Sequence, residues 1–280
     1  MTHRPPRLFH LHLVSDATGE TLTVIARATS VQYPDVRLIE HLYPMTRTKP
    51  QLDRVLQEVA SAPGMLLYTI VNRDLTEHLE RRSRELNVPC LHVLEPVMKI
   101  FDGYLGTSQT PVVAGQHVLD AGYFRRIDAL NFSMMHDDGQ LPEDLNEADI
   151  ILVGVSRTSK TPTGIYLAQR GYKTANVPIV PKVPLPPALT GPHSALVVGL
   201  VAAPERIAEM RRHRVQLMSD CALDDYVDRN EILQEVVQSR RLCERHGWPV
   251  IDVTRRSVEE TAATILKLLH DRTAGRDRDA

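Results

Sequence analysis

The sequence predicts an α/β protein built on parallel strands, and three observations carry that expectation. Short β-branched, apolar runs alternate with longer segments whose apolar residues recur at helical spacing. The run Ile150-Ile-Leu-Val153 is wholly apolar, as a central strand buried on both faces requires. Two strand candidates, ending at Val14 and Val153, run directly into small, polar turns that open helices.

The elements follow in order. Leu8 to Val14 is a strand, Ser15 to Gly19 a turn, and a helix then reaches about Tyr33. Val36 to Tyr43 returns to strand, Lys49 to Ser61 is helical, and Met65 to Val71 is strand-like. Leu75 to Leu86 has helical spacing and Pro89 to Leu94 reads as a short strand. The middle is less regular: Gly103 to Pro111 is rich in Gly, Ser and Thr, and helix-like material follows up to Arg126. His136-Asp-Asp-Gly139 is a polar turn, and Gln140 to Asp149 an acidic connection. The strand Ile150 to Val153 then restarts the pattern. Pro162 to Arg170 is helical, with Pro162 tolerated in the first turn and Gly171 suited to a left-handed close. Ala175 to Val180 and Ala195 to Val201 are strands, separated by a Pro-rich loop in which repeated prolines forbid continuous structure. Leu223 to Cys243 is a helix and Pro249 to Val253 a strand. Ser257 and Glu260 form a capping box for a last helix, and Asp271 to Ala280 is expected to be a frayed tail. The expected division is an α/β domain over residues 1–145, a second α/β domain over 146–272 and a flexible tail over 273–280. One continuous sheet is the alternative.

Composition excludes several function classes. The chain has 280 residues, 42% apolar and 24% charged, with a formal net charge of -2. That balance is ordinary for a globular protein and points to neither nucleic acid nor an anionic membrane surface. Cys90, Cys221 and Cys243 form no close pair, which suits a reducing compartment. No segment approaches the ~20 apolar residues of a membrane helix. The N-terminus shows no secretory pattern, so a cytoplasmic location is expected. His10 and His12 share a strand face, but two imidazoles alone make no zinc site. They read as polar strand-face residues near a surface.

The segment Gly154-Val155-Ser156-Arg157-Thr158-Ser159-Lys160-Thr161 carries the chemistry. A buried strand, a loop of small or polar residues and a helix opening with Lys-Thr make up a phosphate-binding loop, and hence a P-loop kinase-like α/β domain. Backbone amides and the positive helix end hold phosphates, Lys160 spans them, and the Thr161 hydroxyl binds magnesium (Mg2+). Arg157 adds a cation against charge in transfer. Lys160 is expected in a hydrated mouth with its ammonium exposed. Ser159 stands where glycine is usual; that costs little in an ordinary backbone conformation and more at positive φ. Asp252 ends its strand where it can hold metal or water, or can cap the next turn. Ser15-Asp16-Ala-Thr-Gly-Glu20 repeats the strand-turn geometry. There Asp16 can act as a base, or Thr18 can simply cap a helix. His136 to Gly139 can supply base or magnesium ligands, or be an exposed turn. Arg211, Arg212, His213 and Arg214 form either a phosphate-receiving patch or a solvated helix face. Trp248 reads as packing.

Together, Ser15 to Glu20, Ala129 to Gly139, Gly154 through Tyr166-Leu-Ala and Lys173-Thr-Ala-Asn-Val-Pro resemble the bacterial and plastid regulatory proteins of pyruvate, phosphate dikinase. They are similar also to the regulators of phosphoenolpyruvate synthase. The resemblance spans roughly Leu8 to His270, and the serine before Lys160 is that family's own form of the loop. It implies a bifunctional enzyme. One activity transfers phosphate from ADP to a threonine of the dikinase and releases AMP. The other removes it with inorganic phosphate, forming pyrophosphate. The dikinase would be a transient protein partner. Gly154 to Thr161 would bind ADP, with Lys160 bridging its phosphates and Arg157 facing the group in transfer. The same chemistry on the synthase, a small-metabolite kinase and a non-catalytic nucleotide-binding module are the alternatives. The expected assembly is a homodimer, with the Leu223 to Cys243 helix as a candidate contact.

Overall fold

The computed structural model describes residues 7–107, 110, 112–115, 121–140, 142–217 and 228–279 of the chain. The chain divides into two compact units, Met1–Val118 and Leu119–Ala280. Each holds its own four-stranded parallel sheet, so the strands do not join into one. Among the described residues, no helix is long and apolar enough to cross a membrane.

In the first unit, β1 (Arg7–Val14), β2 (Val36–Tyr43), β3 (Gly64–Tyr68) and β4 (Cys90–His92) are ordered β2-β1-β3-β4. The helices α1 (Glu20–Ser30), α2 (Lys49–Ser61) and α3 (Arg73–Glu85) connect them. Local chemistry sets the helix starts: Thr48 and Gln51 form a capping box for α2, and the Asn72 side chain accepts from Leu75 N at 3.0 Å to start α3. Leu52, Val55, Leu56 and Val59 then form the buried stripe of α2, packed with Leu66, Leu79 and Val14. A fourth helix, α4 (Glu95–Leu105), covers residues 95–102, to which the sequence reading gives no element, and runs three residues into the Gly103 to Pro111 stretch. It buries no residue, although Val97, Met98, Phe101, Tyr104 and Leu105 recur at helical spacing.

In the second unit, β5 (Ile150–Gly154), β6 (Thr174–Pro178), β7 (Leu196–Val201) and β8 (Val250–Asp252) are ordered β6-β5-β7-β8. Both sheets thus place their first strand between the second and third. β5 is fully buried and serves two cores. Ile150 and Leu152 pack with Leu167, Ile207, Ile232 and Ile265, while Ile151 and Val153 pack with Phe132, Leu145, Leu189 and Cys243. That is the alternation a strand imposes when both faces are covered. Each such side chain contributes about 1.5–3 kcal/mol on burial.

Among the described residues, the α-helices of this unit are α5 (Ala121–Met135), α6 (Lys160–Ala168), α7 (Pro187–Thr190), α8 (Pro204–Leu217), α9 (Arg229–Arg245) and α10 (Val258–Asp279). Three depart from expectation. α5 runs nine residues beyond Arg126, to Met135. The Pro-rich loop contains the short α7. α10 continues to Asp279, through the charged stretch expected to fray. Its start is as expected: Ser257 Oγ accepts from Glu260 N at 3.1 Å, and Glu260 accepts from Ser257 N at 2.9 Å. α9 starts at Arg229 behind an Asp228 cap; Cys221 and residues 223–227 of the expected helix lie outside the described residues. Cys90 and Cys243 are free thiols.

Candidate functional site

The phosphate-loop segment leaves β5 where the sheet order reverses, the usual ligand position in an open parallel sheet. Gly154 is required by close approach. It has φ 152°, and a Cβ there would lie 2.3 Å from the Leu200 carbonyl oxygen. Arg157 and Ser159 then adopt left-handed backbone, φ 72° and 60°. Ser159 therefore occupies the conformation in which glycine would be less strained. This double reversal ends at the first residue of α6, so Lys160 begins the helix with Ser159 as its N-cap residue.

Lys160 departs from expectation. It is only 5% exposed, and its Nζ donates to the Val155 carbonyl at 2.9 Å. Thr158 Oγ1 donates to the same carbonyl at 3.0 Å. Burial pulls the lysine pKa down to about 8, against the attraction of Asp138 and Asp137. The loop folds its lysine back onto itself instead of extending it into water. Arg157 is half-buried, and its Nε is a buried donor with no partner.

These residues wall a cavity of about 1010 Å³. Ser156, Arg157, Ser159, Lys160 and Thr161 form one side, and Asp137, Asp138, Asn176 and Pro178 another. Met210 and His213 of α8 complete it. Thr161 Oγ1 donates to the Asp137 carboxylate at 3.0 and 3.2 Å. Asn176 Nδ2 donates to Asp137 and, at 3.1 Å, to Thr161 Oγ1. Asp138 holds left-handed backbone, φ 52°, beside that network.

The structure thus brings the loop together with the His136 to Gly139 turn, which the sequence left between two readings. His136 itself is buried, stacked on Phe132 with ring centroids 3.8 Å apart. The basic stretch of α8 divides. Arg211 is buried and paired with Glu235 of α9 at 2.5 Å, while Arg212 and His213 are exposed. Neither the phosphate-receiving patch nor the solvated face describes Arg211. Met210 had no sequence signal as a site residue, and Asn176 had only its place in the Lys173-Thr-Ala-Asn-Val-Pro run that carries the resemblance; strand β6 and helix α8 reach the cavity only through the fold.

The other two acids named from the sequence stand elsewhere. Asp252 Oδ1 accepts from Thr254 N at 2.9 Å and from Thr254 Oγ1 at 2.5 Å, closing the turn after β8 outside the cavity wall. Asp16 lies in the first unit, in a separate pocket of about 170 Å³ lined also by Ser15, Gly19, Thr21 and Thr69. Asp16 Oδ2 accepts from Val71 N at 2.8 Å, and Ser15 Oγ from Thr69 Oγ1 at 3.0 Å. Gly19, with φ 78°, holds the N-cap position of α1 that the sequence reading offers to Thr18.

His10, His12 and His41 stack across β1 and β2, and His12 is fully buried rather than near a surface. Among the described residues, no group of three or more His, Cys, Asp or Glu can hold a metal ion. Trp248 stacks on His246 and packs against the core, as expected.

Comparison with known proteins adds an independent line. The family model for kinase/pyrophosphorylases matches residues 11–266. A protein of Chelativorans sp. (strain BNC1) is 58% identical over 266 residues, covering 95% of this chain and 98% of the relative. One from Rhodopseudomonas palustris (strain BisA53) is 54% identical over 94% of this chain and 95% of the relative. One from Rhizobium meliloti (strain 1021) is 54% identical over 93% and 96%. All three carry the provisional name pyruvate, phosphate dikinase regulatory protein.

Proposed function

The chain belongs to the kinase/pyrophosphorylase family, and from that premise we propose that the cavity beside Lys160 serves two opposed phosphoryl transfers on pyruvate, phosphate dikinase. In one, ADP is the donor and AMP the product. In the other, inorganic phosphate is the acceptor and pyrophosphate the product. The observation that carries the reading is the pairing of a buried lysine and a partnerless buried Arg157 Nε with two carboxylates across one cavity. Cations and loop amides suit phosphates, and a carboxylate suits a hydroxyl proton.

The forward step forms a bond from the target threonine oxygen to the β-phosphorus of ADP. The bond from that phosphorus to the bridging oxygen breaks, and AMP leaves with the electron pair. The threonine proton passes to Asp138. Asp137 is already engaged by Thr161 and Asn176, which leaves Asp138 as the better-placed base. In the opposite step, an oxygen of inorganic phosphate attacks the phosphorus of phosphothreonine. The attacking hydrogen phosphate gives up its proton to Asp138, which passes it to the threonine oxygen as that oxygen leaves. Lys160 and Arg157 oppose the repulsion between two phosphoryl groups in both directions.

The residues fit a magnesium ion. Thr161 Oγ1 and the Asp137 carboxylate are hard oxygen donors at the phosphate end of the cavity, and Mg2+ takes few carboxylates alongside phosphate oxygens. Bound there, it would neutralise phosphate charge. A cytoplasmic setting and a symmetric dimer belong to the same reading.

The test uses dikinase phosphorylated on its catalytic histidine, with phosphoenolpyruvate synthase as a parallel target. AMP and phosphothreonine are followed with ADP, and pyrophosphate with inorganic phosphate. Lys160→Ala should lose both activities while its circular dichroism stays native. Should Lys160→Ala form pyrophosphate at the unmodified rate while ADP-dependent transfer vanishes, one shared centre is wrong and the Ser15 to Glu20 turn becomes the second centre. Transfer to the synthase alone would reassign the target.

A further inference from the structure

We infer that Asn176 is a positioning residue for phosphoryl transfer, holding the acidic turn His136 to Gly139 against the first turn of α6. The inference rests on the reading of this cavity as the transfer site and adds a residue to it. Asn176 lies within β6, opposite Leu152 of β5, and is 4% exposed. A buried asparagine in a strand core is unfavourable unless its polar atoms are used. Its backbone is used on the acidic turn: Asn176 N donates to the His136 carbonyl at 2.9 Å, and its carbonyl accepts from Gly139 N at 2.8 Å. Both ends of the turn are thereby fixed to one residue.

The side chain completes the clamp. A carboxylate accepts hydrogen bonds but cannot donate, so the amide NH2 must face Asp137. It donates there and to Thr161 Oγ1, the residue after the loop lysine. Thr161 in turn donates to Asp137. Three elements meet through this one amide: the turn after α5, the start of α6 and β6. The remaining atom, Asn176 Oδ1, is buried without a partner. Asp138 follows Asp137 in a left-handed turn, so its place in the cavity depends on where Asp137 is held.

Two near-isosteric variants test this. Asn176→Leu removes the clamp and should stay folded at assay temperature by circular dichroism, while kcat for AMP formation falls ~100-fold with KM for ADP changed by less than ~3-fold. Asn176→Asp keeps the shape but puts an acceptor where the donor stood, so its kcat should fall at least as far, again with KM for ADP changed by less than ~3-fold. A folded Asn176→Leu or a folded Asn176→Asp with parental kcat overturns the inference. Should both fail to fold, Asn176→Ser, which fits the volume, carries the kcat criterion. If the parent protein itself forms neither AMP nor pyrophosphate, the transfer reading fails instead, and the two failures are distinct.

Discussion

At the scale of single residues, Lys160 is held where its charge is disfavoured. Its pKa falls from the ordinary lysine range to about 8 because burial costs the ammonium more than Asp138 and Asp137 return. The stability consequence has a definite sign. Between the folded pKa and the unfolded one, the unfolded chain binds the extra proton, so stability rises with pH across that window. Below about pH 8 both states are charged and the penalty is complete. Measured against Lys160→Met, the parent should therefore gain roughly 2 kcal/mol between about pH 7 and 9.5. Urea midpoints of both proteins at the two pH values check this; parallel curves would mean that the ammonium is hydrated. The loop itself was legible from consecutive residues, Gly154 to Thr161. The state of its lysine was not, because the Val155 carbonyl that receives Nζ is a matter of loop path. Asp137 and Asn176 were still less legible as a pair: 39 positions separate them, and only the return of β6 beside β5 joins them.

At the scale of elements, legibility followed one-sided burial. α2 has its predicted bounds of Lys49–Ser61 because a capping box and a buried stripe agree. α4 went unread although Val97, Met98, Phe101, Tyr104 and Leu105 recur at helical spacing; the Gly103 to Pro111 composition beyond it drew the segment into an irregular middle, and its apolar residues Val97, Ile100, Phe101 and Tyr104 are exposed. The basic stretch of α8 misled for a related reason: its charges look alike in sequence, yet Arg211 points inward. Arg211 is 2% exposed and pairs through both terminal nitrogens with Glu235, tying α8 to α9. A buried pair adds little over apolar packing, but removing one partner leaves a charge in a poor environment. Glu235→Ala should thus destabilise by about 3 kcal/mol, visible as a lower denaturant midpoint. Because α8 also carries Met210 and His213 to the cavity, KM for ADP should rise in the same variant. An unchanged midpoint would show that the pair contributes nothing to the packing of the two helices.

At the scale of the whole molecule, the strand orders β2-β1-β3-β4 and β6-β5-β7-β8 repeat one topology. In each unit the loop after the first strand lines a cavity, Ser15 to Thr21 in one and Ser156 to Thr161 in the other. Their chemistry differs. The second has Lys160 and Arg157; among the described residues, the pocket around Asp16 is lined by hydroxyls, backbone, apolar residues and one carboxylate, without a lysine or arginine. A pyrophosphoryl group needs positive charge, so ADP should bind the second unit. Each unit also has its own apolar core, one around Leu52, Leu66 and Leu79 and one around β5. That permits a direct test on a fragment of residues 119–280. The fragment should fold cooperatively, and ADP at a hundredfold excess over Kd should stabilise it by about 2.7 kcal/mol. Lys160→Ala in the fragment should abolish that gain. A complementary fragment of residues 1–118 should show no ADP-dependent shift. If the stabilisation appears only in the 1–118 fragment, the nucleotide site belongs to the Ser15 to Thr21 loop. The cavity beside Lys160 would then be left to inorganic phosphate and the target side chain, and the two reactions would run through different units of the chain.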